Sequence, residues 1–146
     1  MTILERVRKW LGTFPDFDIL SAFQVDYTDT APANAGLFPA GLVEVSRAED
    51  VLGNVTVVNQ YNFGIYCVLE KAAGDDVGAT INADWVIAFQ QWVQEQAVTG
   101  RAPVFGDEPK EERIAAQNGA LFETGEGTGV YMVQLSVRFV KKYEVV

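Results

Sequence analysis

Residues 53–73 read GNVTVVNQYNFGIYCVLEKAA, and the spacing of their side chains decides the fold. The odd positions are Val55, Val57, Asn59, Tyr61, Phe63, Ile65, Cys67 and Leu69, an apolar row broken once, at Asn59. The even positions, Thr56, Val58, Gln60, Asn62, Gly64, Tyr66, Val68 and Glu70, are mixed. Successive side chains of a strand point to opposite faces, so this pattern describes one buried face and one partly wet face. Its β-branched and aromatic residues suit a strand and disfavour a helix. At roughly 3.3 Å per residue the strand would run on the order of 50 Å, longer than most. A bend or bulge near Gly64 is therefore expected, or a tip that passes beyond the core.

Either side of this strand the chain alternates helical and extended patterns. Residues 2–12 predict a short amphipathic helix. Thr2 and Glu5 form a capping box, and Ile3, Val7, Trp10 and Leu11 share one face, with Gly12 and Pro15 as stop signals. Residues 19–28 predict a strand on the alternation of Phe23, Val25 and Tyr27 with Gln24 and Asp26. Residues 29–36 predict a loop, 41–47 a second short strand, and 46–54 a polar turn. After a break at 74–78, residues 81–98 predict the main helix. Ile81, Trp85, Ala88, Phe89, Trp92 and Val93 form its stripe, with Thr80 or Asn82 as cap and Asp84 favoured by the helix dipole. Packing of the stripe against the long strand explains its tryptophans better than a ligand box does. Residues 99–113 read as an irregular loop. Residues 114–124 are ambiguous, since alanines favour a helix and Asn118-Gly119 a turn, and are taken as a strand or hairpin arm. Residues 123–129 form a turn, and 130–143 alternate cleanly as a closing strand, the natural antiparallel partner of the opening one. The expected fold is a single α+β domain over 1–146. It has an antiparallel or mixed sheet of about four to five strands and two helices packed on one face.

Composition narrows the function classes. The chain has 146 residues, 49% hydrophobic and 21% charged, which suits one globular domain. Residues 1–6 carry no leader pattern and no apolar run approaches a membrane span, so a soluble intracellular product with no membrane partner is expected. A net charge of −9 argues against holding nucleic acid by its phosphates, while an acidic wall would let DNA pass without adhering. There is no histidine, which removes the usual triads, proton shuttles and most zinc sites. The single cysteine, Cys67, falls in the buried row and reads as a small hydrophobe.

The remaining candidates for chemistry are four carboxylate pairs: Asp16 with Asp18, Asp75 with Asp76, Asp107 with Glu108, and Glu111 with Glu112. All lie beside glycines, prolines or chain breaks, where side chains diverge into solvent instead of converging in a cleft. Residues 125–129, GEGTG, resemble half a phosphate loop, but they lack its lysine and join two strands. No catalytic, cofactor-binding or metal-binding set emerges, so no cofactor and no enzymatic activity is expected. An assembly or binding module remains, with sheet edges and the 99–113 loop as contact surfaces.

Several segments, in order along the chain, carry a family likeness. They are ILERVRKWLGTFP, an early strand ending in Asp-Tyr-Thr-Asp, VSRAEDVLGNVTV, WVIAFQQWVQEQ, PVFGDEPKEERI and VQLSVRFVKKYE. Together they resemble the small neck or tail-completion proteins (often labelled minor capsid proteins) of prophages in Gram-positive bacteria, which belong with the tail terminators of long-tailed phages. The resemblance implies a virion protein, assembled in the bacterial cytoplasm, that forms a homo-oligomeric ring, usually a hexamer. Such a ring caps the tail tube protein, ends its polymerisation and presents a surface to the head–tail connector, with DNA only as passing cargo. Another head–tail joining ring and a small ligand-binding or enzymatic domain are the alternatives. A closed ring needs two unlike patches per subunit. The expected contributors are Val55 and Val57 at the 53–60 end of the long strand, and Arg101, Phe105, Asp107, Glu108, Lys110 and Arg113 on the loop.

Overall fold

The computed structural model describes residues 2–19, 22–25, 34–71, 74, 76–125 and 127–145. Helix α1 is Ile3–Leu11 and is followed by a 3-10 turn, Pro15–Ile19. Strands β1 (Ala22–Val25), β2 (Asn34–Glu49) and β3 (Val55–Glu70) come next, then helix α2 (Asp76–Val98). A 3-10 turn at Pro109–Glu111 leads into β4 (Arg113–Gly125) and β5 (Thr128–Tyr143). The strands form a 5-stranded sheet in the order β1-β2-β3-β5-β4. Strand β1 runs parallel to β2 and every other pairing is antiparallel, so the sheet is mixed and the class is α+β.

The alternation around Phe63 produces the core. Phe63, Ile65, Cys67 and Leu69 of β3 pack beside Tyr131, Val133, Leu135, Val137 and Phe139 of β5, and both helices lie against this face. α1 contributes Val7, Trp10 and Leu11, held by the expected capping box between Thr2 and Glu5. Trp10 stacks on Trp92 at 5.2 Å, and Phe14 meets Phe89 edge-on at 5.4 Å. Two of the three indole N–H groups bond across elements. Trp10 donates to Gln96 Oε1 at 3.3 Å, and Trp85 donates to the Asp16 carbonyl at 3.0 Å. Asn59, the break in the row, is itself buried at the 53–60 end.

Several expectations change. The main helix starts at Asp76, so Thr80 lies inside it and donates to the Asp76 carbonyl. Asn82 is buried, and its amide reaches the Glu70 carbonyl at 2.9 Å, tying α2 to the end of β3. Ile81 is 63% exposed, and Val86 takes the place expected of it in the core. β3 pairs with β5 in unbroken register from Val55 to Glu70, so the irregularity expected near Gly64 lies in the facing strand, opposite Phe63 to Tyr61. The irregularities fall in β2, between Pro39 and Leu42 and between Glu44 and Ser46. Gly41, at φ +89°, sits in the first. Residues 34–49 therefore form one strand where a loop and a short strand were expected. Pro39 stands beyond Leu37, the last β2 residue that β1 pairs with among the described residues, where a missing N–H breaks no described ladder bond to β1. Residue 19 lies in the 3-10 turn and not in a strand, while 26–33, with most of the expected loop and the end of the first strand, fall outside the described residues. β5 pairs with β3 and β4, not with β1. The ambiguous 114–124 segment is a strand, bulged at Asn118-Gly119, where Asn118 takes φ +57°.

Candidate assembly surfaces

The first surface is the β2–β3 hairpin. Asp50 organises its turn: Oδ1 accepts from the Leu52 and Asn54 amides at 2.9 Å each, and Oδ2 accepts from the Asn54 side chain at 3.2 Å. These bonds, the Asn54 amide first, hold the Asp50 carboxyl below the ordinary value of 3.8. Gly53 supplies the left-handed residue at φ +85°. The outcome is an ordered turn with its apolar side chains in water. Val51 is 101% exposed and Leu52 78%, and Leu42, Val43 and Val45 on the β2 arm are also exposed. Along this arm the outer edge of β2 has no strand partner among the described residues.

The second surface lies at the other edge of the sheet. Between α2, the 100–112 loop and the start of β4 runs an open groove of about 1040 Å³, with Ile87, Gln94, Val98, Val104 and Ala116 among its lining. Gln90 donates to the Ala116 carbonyl at 3.0 Å, so that carbonyl faces α2 and not β5. The groove's charged lining is Lys110, Glu112 and Arg113. Oε1 of Glu112 accepts from the Phe105 and Gly106 amides at 2.6 and 3.2 Å, pinning the loop to the root of β4. Its Oε2 is buried without a hydrogen-bond partner.

The expected interface residues divide between these surfaces and the interior. Val57 and Phe105 are buried within the chain, at 5% and 8% exposure. Val55 is half-buried between Glu49 and Tyr143, since β3 is flanked on both sides at this end. The arm's exposed surface thus belongs to β2 and the turn. Asp107 and Glu108 serve an internal clamp. Asp107 accepts from the Lys142 amide at 2.8 Å, and Glu108 pairs with the Lys142 ammonium, which raises its pKa. Arg113 donates to the Lys110 and Glu112 carbonyls. Lys110 and Arg101 are exposed. The glutamines of α2 and the Glu112 anchor were missed. The only sequence signal was Ile87 and Val98 standing among polar residues outside the core stripe.

Of the carboxylate pairs, Asp75 and the side chain of Asp18 lie outside the description. Among the described residues, no group of three or more Cys, Asp or Glu side chains could hold a metal ion, and no helix is long and apolar enough to cross a membrane. Burial pushes the Cys67 thiol up to about 12. A third cluster, on the face of the sheet away from the core helices, carries Phe38, Tyr66 and Phe122 in edge-on contact at 5.0 and 5.4 Å. Tyr66 leans over Gly64, where an added Cβ would meet its ring at 3.2 Å. No protein family model matches the chain, and no curated protein matches it.

Proposed function

We propose that the chain is a tail terminator of a phage or phage-like particle: a ring-forming protein that caps the tail tube, stops its polymerisation and offers a surface to the head–tail connector. The observation that carries this reading is the β2–β3 arm. An ordered turn with Val51 and Leu52 exposed, on a strand whose outer edge has no partner beyond Leu37 among the described residues, is a surface a monomer has reason to hide. The collinear likeness to tail-completion proteins supplies the partner class. The acidic balance fits as well: Asp76, Asp84 and Glu95 of α2 are exposed, and that helix has no basic residue, so DNA sliding past it would be repelled and not held.

The test is electron microscopy of the protein with its tube protein, beside light scattering of the protein alone. Rings seated on the ends of tubes of uniform length are expected. A monomer that leaves tube growth unlimited refutes the proposal. Rings that bind only the connector side would make it a joining protein. The groove favours a second reading, a ligand-binding domain. A small molecule that saturates the groove while the chain stays monomeric would establish that one instead.

A further inference from the structure

We infer that the groove between α2 and β4 is the receptor for the β2–β3 turn of a second copy of this chain, making a heterologous, head-to-tail contact. The inference rests on the ring reading above and specifies which surfaces close the ring. Three observations carry it.

The first is placement. The turn belongs to the β2 side of the sheet and the groove to the β4 side, the two lateral edges of the order β1-β2-β3-β5-β4. The groove reaches toward the same end through its loop wall: Val55 at the base of the turn pairs with Tyr143, and Asp107 of the loop is bonded to Val140 and Lys142 of the same strand β5, while the β4 lining pairs farther back, from Arg138 to Gln134. A copy set beside the first, edge to edge, therefore brings a turn to a groove without inverting the molecule. Because the two patches differ, the contact repeats from copy to copy and can close into a ring.

The second is chemistry. The turn presents Val51 and Leu52 as an apolar knob already fixed by Asp50 and Asn54, so little ordering is lost on docking. The groove presents Ile87, Val98 and Val104, exposed and apolar.

The third is charge. On the arm, Arg47 pairs with Glu44, leaving Glu49 and Asp50 as its net negative pole. The groove's lining carries Lys110 and Arg113 against one carboxylate, Glu112, a net of +1 (two cations less one anion), with Asp107, Glu108 and Glu111 elsewhere on the same loop. In a chain of net charge −9, such a lining receives an acidic turn without net repulsion.

The test uses the full chain with two surface variants, Val51→Asp/Leu52→Asp in the turn and Ile87→Asp/Lys110→Glu in the groove. Each alone is expected to weaken self-association roughly 30-fold or more, the scale of a lost hot spot. Mixed, each retains the surface the other lacks, so a 1:1 dimer is expected and nothing larger. Leu52→Cys/Gln94→Cys, treated with a short bismaleimide, should give an intermolecular ladder absent from either single cysteine variant. This cross-link keeps the test decisive if a charged variant folds poorly. If the turn variant assembles as the natural chain does, the inference is overturned while the ring reading stands on other surfaces. A groove variant that still self-associates but no longer caps tubes assigns the groove to the tube protein and also overturns it. Tubes left uncapped by the natural chain, with turn–groove cross-links still forming, would sink the terminator reading and leave this contact in place.

Discussion

Replacing Phe89 by alanine tests the layer that holds the helices to the sheet. Phe89 is 1% exposed and lies among Phe14, Trp85 and Trp92, with ring centroids at 5.4, 6.1 and 6.3 Å. It is the point where α1's trailing turn, α2 and the sheet face meet. Deleting a buried phenyl ring costs about 3–5 kcal/mol, because the lost burial is compounded by a cavity that rigid neighbours cannot refill. Three flanking aromatic rings are such neighbours, so about 4 kcal/mol is the expected loss. With roughly 2.1 cal/mol/K of unfolding entropy per residue, a chain of 146 residues has about 0.3 kcal/mol/K, and Tm should fall by about 13 °C. The control is Phe122→Ala, whose ring is 58% exposed on the other face and should cost less than about 1 kcal/mol. Calorimetry and urea unfolding check both, at one fixed protein concentration because assembly would raise the apparent Tm. A loss under about 1 kcal/mol for Phe89→Ala, or equal losses for the two variants, refutes the assignment of the core to this face.

Gly106→Ala should cost about 1–3 kcal/mol, because its Cβ would sit 2.3 Å from the Val140 carbonyl, which also accepts from the Asp107 amide. Its diagnostic is loss of protection at the Asp107 amide in hydrogen exchange. Cys67, with its thiol near 12, should stay unlabelled by a thiol reagent at neutral pH and react once per chain in denaturant. Rapid labelling of the native chain would contradict the packing of β3. Asp50 has a lowered folded pKa, so its hold on the turn is complete above 3.8 and is lost as pH falls through the lower folded value. The Leu52 and Asn54 amide resonances should therefore shift together only below that point, and a shift centred near neutral pH would refute the bonding. Asn82→Ala should cost about 1–2 kcal/mol by leaving the Glu70 carbonyl unbonded, read as a lower urea midpoint at unchanged slope.

Period-two alternation identified β3 and β5 because each has one face against the helices, and that burial acts on every second residue. The capping box at Thr2 and Glu5 was legible because it is a purely local device. β2 was legible only in part: the short strand expected at 41–47 falls inside it, while Asn34 and Gly36 read as loop and Pro39 and Gly41 interrupt the pattern between them. The strand exists because β3 provides a ladder for it, a cause that lies outside its own sequence. The early start of α2 was hidden in the same way: Asn82 reads as a cap, yet it serves a carbonyl on another element.

The same asymmetry explains why the 53–60 end of β3 is not itself a free surface. Burial at the 53–60 end looked from sequence like a surface waiting for a neighbour, whereas β2 and β5 supply those neighbours within the chain. Among the described residues, β2 itself is paired on its outer side only from Asn34 to Leu37. At the other edge, α2 bonds to β4 through Gln90 and then separates from it along the groove instead of sealing it. One edge thus ends in an ordered knob and the other in an unfilled recess. The proposed assembly joins these two features, the knob of one copy seated in the recess of the next.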